Sequence, residues 1–509
     1  MGLGRTAAVA LVGLTGHMIE VEAHLAPSVP GFTLVGLPDA SLAEARDRVR
    51  AALTSSGIPW PQRRITVNLS PASLPKAGSG FDVAIAVATL AGAGVCDPGL
   101  VDGVVHLGEL GLDGRLRPVR GVLPAVVAAV ASGRPKVVVP LANAAEASLV
   151  PGAQVVGMTH LAEVARAYGA DVTSPTADPV PAELRAESPI TAPDLADVLG
   201  QRTARWALEV AAAGGHHLLM VGPPGAGKTM LAARLPGLLP DLDDEAAVEV
   251  TAVHSVAGTF RPAGGLLRRP PFEDPHHTAT PAAVIGGGSG LPRPGAASRA
   301  HRGVLFMDEA PEFSPRVLQT LRQPLEHGEL VIHRAGGTAR YPARFQLVLA
   351  ANPCPCGRSV GKGLGCTCTP MARRRYFSRL SGPLLDRIDL QVEVLPVTRA
   401  DRAAVQDPEP TSVVAARVLE ARARARRRLE GSGWATNAEV PGAWLRRHTG
   451  GAGARRDLER ALDTGVLSLR GLDRVLRVAW TLADLAGRQG PGDAEIGEAL
   501  LLRTRGHGR

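Results

Sequence analysis

Aromatic side chains make up only 3% of this 509-residue sequence: 5 Trp, 3 Tyr and 8 Phe. Stacking of bases on aromatic platforms therefore cannot be a widespread device here. Cysteine is scarce too. There are five, and Cys96 stands apart from the rest, which excludes a secreted disulfide scaffold and makes the cytoplasm the expected compartment. No run of 18 or more apolar residues occurs, so no membrane span is expected. Residues 1–16 are apolar but broken by glycines, and they lack the basic region and cleavage site of a signal peptide. Acidic charge is the scarcer sign, with 48 Asp plus Glu against 56 Lys plus Arg and a net charge of +8. Residues 401–509 carry 19 Arg against 14 acidic residues. That balance permits contact with a polyanion such as DNA, although the arginine run over 422–428 also reads as a solvated helical face.

What is present begins with size. The chain is too long for one core, so two to four domains are expected, and 45% hydrophobic content is ordinary for a globular protein. Gly222-Pro223-Pro224-Gly225-Ala226-Gly227-Lys228-Thr229 fits G-x-x-x-x-G-K-[ST], the phosphate-binding loop of nucleoside triphosphatases. An apolar run over 217–221 precedes it as a buried strand, and 230–235 follows as a helix. Glycines there let backbone N–H groups converge on phosphate oxygens, and the helix N-terminus adds positive potential. Lys228 is expected to meet the β- and γ-phosphates of ATP, and Thr229 to hold Mg²⁺. A chance glycine-rich turn is the alternative, and the flanking strand and helix weigh against it.

The stretch 303–309 is a short apolar strand ending in Asp308 and Glu309. Asp308 is placed to bind the Mg²⁺ shell and Glu309 to polarise the attacking water. The pair also reads as an acidic start to a following helix. Another strand, 345–352, ends in Asn352, a candidate sensor of the γ-phosphate or the water, or else a turn residue. Arg387 has two readings: an ion pair with Asp386 or Asp389, or a finger into a neighbour's ATP site, where it would stabilise spreading phosphoryl charge. Arg470, at the start of a late helix, could fold back on the γ-phosphate.

Along the chain, 1–170 mixes short β patterns with helices, 171–193 is a Pro/Asp/Ser-rich linker, 194–397 carries the motifs on an α/β pattern, and 398–509 is helical. Strands are expected over 65–69 and 137–139, helices over 40–53 and 124–131. Val414, Val418, Ala421, Ala425 and Leu429 form an apolar helical stripe. Cys354, Cys356, Cys366 and Cys368 form two C-x-C pairs, a four-thiolate zinc set or four reduced thiols in a loop. A hairpin pattern over 329–340 offers His333 and Arg334 for phosphate contact, or as solvated residues.

The central and C-terminal portions resemble the magnesium-chelatase-like branch of AAA+ ATPases, through Tyr341-Pro342-Ala343-Arg344, Asn352-Pro353 and Leu384-Leu385-Asp386-Arg387-Ile388-Asp389. Pro275-His276-His277-Thr278, Gly286-Gly287-Gly288, Ala300-His301, 303–309, 321–326 and Asn352-Pro353-Cys354-Pro355-Cys356-Gly357 resemble a closer group, the ComM/YifB family, linked to branch migration of DNA during natural transformation. The resemblance covers nearly the whole chain. It implies a multidomain α/β fold with an AAA+ core and an all-α C-terminal lid. It also implies a ring expected to be hexameric, Arg387 acting in trans and Arg470 as second sensor in cis, and single-stranded or branched DNA as partner. Glu273, Ala296-Ala297 and Arg302 depart from the pattern, which expects a basic residue, Glu-Ile and Asn there. These departures put in doubt nucleic-acid contacts around His276 and His277.

Leu74 to Asp82 and the segment 108–118 resemble the proteolytic domain of Lon, an S5-like α+β unit. That domain needs a serine nucleophile and a lysine base. Gly80 and Leu123 stand at those positions here, so a module without peptidase activity is expected. Ser79 with Lys76 is the remaining candidate dyad, and with it an ATP-dependent protease the third reading. A metal-chelatase ATPase subunit is the second, opposed by an N-terminal domain and cysteine cluster foreign to that subunit.

Overall fold

The computed structural model describes residues 2–36, 44–74, 76, 78–173, 178, 180, 193–288, 292–334, 337–359, 365–380, 382–398, 408–449, 452–463, 465 and 467–504. Most of the expected linker, the middle of the cysteine insertion and residues 399–407 lie outside them.

The N-terminal region is built on a seven-stranded mixed sheet. It comprises β1 (Gly2–Val12), β2 (Thr15–Ala26), β3 (Gly31–Val35), β4 (Arg64–Ser70), β5 (Val105–His106), β8 (Lys136–Pro140) and β9 (Gln154–Met158), in the order β3-β4-β2-β1-β5-β8-β9. A small hairpin, β6 (Glu109–Leu110) with β7 (Leu116–Arg117), stands apart from it. The two-residue period of β1 decides which core each side chain enters. Ala8 and Ala10 face one cluster, which includes helix Asp82–Ala93, whereas Ala7 and Val9 face the other, which includes helix Val122–Ala131. The expected strands correspond to β4 and β8. Helix Ala45–Ser55 covers the later part of the expected 40–53 helix, and 40–43 lies outside the described residues.

The central region holds a five-stranded, all-parallel sheet of β10 (Leu218–Val221), β11 (Phe272–Glu273), β14 (Val304–Met307), β17 (Gln346–Ala351) and β18 (Leu390–Glu393), ordered β11-β14-β17-β10-β18. The middle strands are fully buried, as apolar runs require of a sheet covered on both faces, and Gln346 at the start of β17 is buried through its bonds to the Ala211 and His216 carbonyls. Two short ribbons accompany it: β12 (Gly286–Gly287) with β13 (Arg293–Pro294), and β15 (Glu329–Arg334) with β16 (Gly337–Pro342). The helix expected over 230–235 is shorter. It spans Lys228–Ala232 and a second begins at Leu235, because Pro236 has no N–H to continue the first.

The C-terminal region is helical: Thr411–Arg428, Gly442–His448, Ala452–Asp463, Leu469–Leu485 and Asp493–Thr504. All five residues of the apolar stripe are buried, four on Thr411–Arg428 and Leu429 just after it. The arginine run beside it is not uniformly solvated. Arg422 donates twice to the Ala212 carbonyl at the end of helix Arg202–Gly214, at 2.9 and 2.7 Å, and Arg428 pairs with Asp484 while lying 4.5 Å over the Trp480 ring. Among the described residues no helix is long and apolar enough to cross a membrane.

Candidate nucleotide site

In an open parallel sheet, ligands bind beyond the carboxyl ends of the strands, where the strand order reverses. Here β17 lies between β10 and β14, with Val221 opposite Ala351 and Met307 opposite Leu349. That register carries the loop after β10, Asp308 after β14 and Asn352 after β17 to one edge. Gly225 and Gly227 take left-handed φ values of +75° and +92°. Gly222 has another constraint: a Cβ there would lie 2.1 Å from the Val394 carbonyl oxygen.

Four side chains meet. Lys228 Nζ donates to the Gly222 carbonyl at 2.8 Å, the Pro223 carbonyl at 3.0 Å and Asn352 Oδ1 at 3.2 Å. Thr229 Oγ1 donates to Asp308 Oδ2 at 2.6 Å, and Asp308 Oδ1 accepts from the Glu309 backbone amide at 2.8 Å. Burial pushes the Lys228 ammonium below its ordinary range, against the pull of Asp308 and Glu309. Glu309 is one of three non-glycine residues with positive φ among those described, at +50°. Strained conformations of this kind concentrate at functional sites.

The sequence did not reveal what faces Glu309. His277, from the loop after β11, places Nδ1 3.3 Å from Glu309 Oε2, and its ring lies 4.1 Å from that of His276. The His-His pair was legible as a motif, but its partner is more than thirty positions away. Glu273 and Arg302 have local explanations. Glu273 forms a two-bond pair with Arg299 at 2.9 and 2.6 Å. Arg302 sits at φ +62°, a conformation that the expected Asn adopts more readily.

The two candidate arginines stand elsewhere. Arg387 pairs with Glu326 rather than with Asp386 or Asp389, and Asp389 is itself buried against Arg474 and His216. Burial and the neighbouring Arg474, Arg470 and Arg322 lower the Arg387 pKa. Arg470 is 76% exposed and lies 3.8 Å from Asp386. His333 is exposed and bonded to Thr338 Oγ1 at 2.9 Å, whereas the Arg334 side chain lies outside the described residues.

The four paired cysteines converge, with all four sulfur atoms within 4.8 Å of one another. The Arg358 backbone amide holds the Cys356 thiol below the usual thiol range. In the N-terminal region Ser79 donates to Glu109, while the buried Lys76 ammonium is taken by the Pro71 and Leu74 carbonyls. Serine and lysine thus belong to separate hydrogen-bond sets, and Leu123 is buried in an apolar cluster.

Family models described as "Magnesium chelatase, subunit ChlI", "Subunit ChlI of Mg-chelatase" and "Magnesium chelatase, subunit ChlI C-terminal" match residues 194–402, 21–143 and 408–503. An uncharacterized protein of Mycobacterium tuberculosis is 52% identical over 99% of each chain. Competence protein ComM of Haemophilus influenzae is 41% identical over 97% of this chain and 96% of its own. YifB of Escherichia coli, itself uncharacterized, is 40% identical over 94% and 92%. The chain belongs to the ComM/YifB family of magnesium-chelatase ChlI-like proteins. It is a magnesium-chelatase-like AAA+ ATPase, and that assignment implies ATP with Mg²⁺. A model named for the chelatase subunit also covers 21–143, whereas magnesium-chelatase 38 kDa subunits of Rhodobacter capsulatus and Cereibacter sphaeroides match only 39% and 27% of this chain.

Proposed function

We propose that this ATPase assembles into a ring, expected to be a hexamer, that uses ATP hydrolysis to move or remodel single-stranded or branched DNA. The reading rests on the convergence of Lys228, Thr229, Asp308, Glu309 and Asn352 at one sheet edge, in a chain 41% identical to a competence protein. Thr229 and Asp308 supply the hard oxygen donors suited to Mg²⁺, which neutralises phosphate charge when bound. Lys228 would leave the Gly222 and Pro223 carbonyls for the β- and γ-phosphates. Glu309 takes the proton of the attacking water, and Asn352 orients that water or the γ-phosphate. Arg387 would exchange Glu326 for the phosphoryl group of a neighbouring subunit, and Arg470 would reach the γ-phosphate of its own.

The test is ATP turnover of the wild type and of Glu309→Gln, with and without forked or four-way DNA. The wild type should be stimulated by DNA and migrate the junction. Glu309→Gln should bind ATP yet turn over about 10²–10⁴-fold more slowly, the usual worth of a general base. Turnover indifferent to DNA would overturn the reading. The chelatase names of the three family models favour a second role, driving metal insertion into a tetrapyrrole, and turnover that responds only to a chelatase partner would support it. The peptidase reading is disfavoured by the separation of Lys76 from Ser79.

A further inference from the structure

The cysteine cluster lies against the nucleotide loop, and three contacts join them. Cys354 follows Asn352 by two residues, and Asn352 Oδ1 accepts from Lys228 Nζ. Gly357, in the turn after Cys356, has φ +72° and presses on the phosphate loop so closely that a Cβ would lie 2.6 Å from Pro224 Cδ. Helix Pro370–Ser378 then returns from the last cysteine, and its buried Tyr376 hydroxyl meets the Asn352 backbone.

The sulfur geometry suits one metal ion. Cys354 Sγ lies 3.4 Å from Cys356 Sγ and 3.6 Å from Cys366 Sγ, and Cys356 Sγ lies 3.8 Å from Cys366 Sγ. Zinc–thiolate bonds of about 2.3 Å directed to the corners of a tetrahedron place the sulfurs about 3.8 Å apart. Three sulfur separations thus match a four-thiolate zinc cage to within a few tenths of an ångström, and the Cys368 sulfur lies within 4.8 Å of the other three. Without a central ion, up to four thiols would crowd at near contact, and the turn that holds Gly357 on Pro224 would keep its internal bond from the Gly357 amide to the Cys354 carbonyl and the Arg373–Ser359 bond beyond it.

We propose that Cys354, Cys356, Cys366 and Cys368 bind one zinc ion, and that its occupancy sets the affinity of the Gly222–Thr229 loop for nucleotide. Zinc fixes the Cys354–Gly357 turn. The turn buttresses Pro224 from outside and anchors the end of β17, from which Asn352 reaches Lys228. Each ligating thiol releases its proton to solvent, as zinc binding to thiols requires. The inference rests on the ATPase reading, because it concerns that site's own loop.

The test uses the full-length chain. Metal analysis should find one zinc per chain in the wild type, and less in Cys366→Ser. Titration with a fluorescent ATP analogue and Mg²⁺ should show binding weakened about tenfold or more after chelation of zinc, the factor that ~1.4 kcal/mol gives, with recovery when zinc is restored. Circular dichroism establishes that the chelated protein is folded. Gly357→Ala supplies an independent arm: it should keep its zinc yet bind nucleotide more weakly, because the methyl group displaces Pro224. A wild type without zinc overturns the proposal. So does folded, zinc-free protein with unchanged nucleotide affinity, or Gly357→Ala with wild-type affinity. If the zinc-loaded wild type binds no nucleotide, the ATPase reading itself is refuted.

Discussion

Replacing Asp389 by alanine should loosen the join between the ATPase core and the C-terminal helices. Asp389 is fully buried beside β18. Its carboxylate accepts from Arg474 Nη1 at 3.0 Å and the His217 backbone amide at 3.3 Å, and meets His216 Nδ1 at 3.3 Å. Arg474 belongs to helix Leu469–Leu485, so one carboxylate ties two regions. Burial alone would raise the Asp389 pKa, but Arg474, His216 and His217 together hold it well below the usual carboxylate range. It is therefore ionised at neutral pH, and alanine strands the arginine. Breaking a buried charge pair costs about 3–5 kcal/mol. Arg474 keeps 20% of its side chain exposed and can recover some hydration, so the lower end, about 3 kcal/mol, is expected. Trp444 and Trp480, with ring centroids 5.7 Å apart in the helical region, report its unfolding in urea, and Trp60→Phe removes the N-terminal signal. Asp389→Asn should lose less, since the amide keeps the shape and part of the bonding. Glu420→Gln, on an exposed helical face, serves as the control and should change stability by less than about 0.5 kcal/mol. An Asp389→Ala variant within about 1 kcal/mol of that control would refute the coupling.

Two further outcomes follow from side-chain pairs. His277→Ala removes the His277 contact from Glu309, so kcat for ATP should change severalfold while the KM for ATP stays near the wild-type value, and His277→Gln, which keeps a hydrogen-bond donor, should recover part of the difference. A change confined to KM would mean that His277 serves nucleotide binding instead. The His301 hydrogen bond, opposed by burial, draws the Glu249 pKa down to about 2. A depressed carboxylate stabilises the fold above its unfolded value, near 4.5, and that contribution disappears as pH falls through about 2. Thermal melting of the wild type should thus exceed that of Glu249→Gln at pH 6 and converge with it toward pH 2, whereas a pH-independent gap would assign the difference to packing.

The nucleotide loop and its acids were legible because their chemistry is local. Eight consecutive residues specify the loop, and an apolar run ending in two acids specifies its partner strand. The cysteine set was legible from its paired spacing. What could not be read lies between segments. Glu326 belongs to a recognised stretch, but nothing in one sequence says that it, and not Asp386 or Asp389, faces Arg387. The His277 contact depends on β11 lying beside β14, a matter of sheet order. The arginines of 422–428 were ambiguous for another reason. Helical periodicity places Arg422 near the apolar stripe, but only the end of a neighbouring helix gives it a carbonyl to bind.

That dependence on neighbours extends to the N-terminal region, which is joined to the ATPase by more than a linker. The turn between β1 and β2 rests on β16: a Cβ on Gly13 would lie 2.4 Å from the Arg340 carbonyl oxygen, and Leu14 packs with Ile332, Ala339, Tyr341 and Val256. A second tie is polar. Glu146 is buried and accepts from the Leu123 backbone amide at 2.9 Å and from the hydroxyl of Ser255, on helix Asp244–Ala257 of the central region. Burial raises its pKa, against the pull of Ser255, Leu123 and Asn143. A buried carboxyl is costly unless its donors are in place, so this contact fixes one orientation where an apolar surface alone would permit sliding. The β15–β16 ribbon, which carries the hairpin pattern offered from sequence for phosphate contact, is therefore held along its middle by the turn between β1 and β2. Any displacement of that ribbon during turnover must either carry the β1–β2 turn along or break the Leu14 contacts, whereas the Glu146–Ser255 tie holds the neighbouring helix Asp244–Ala257.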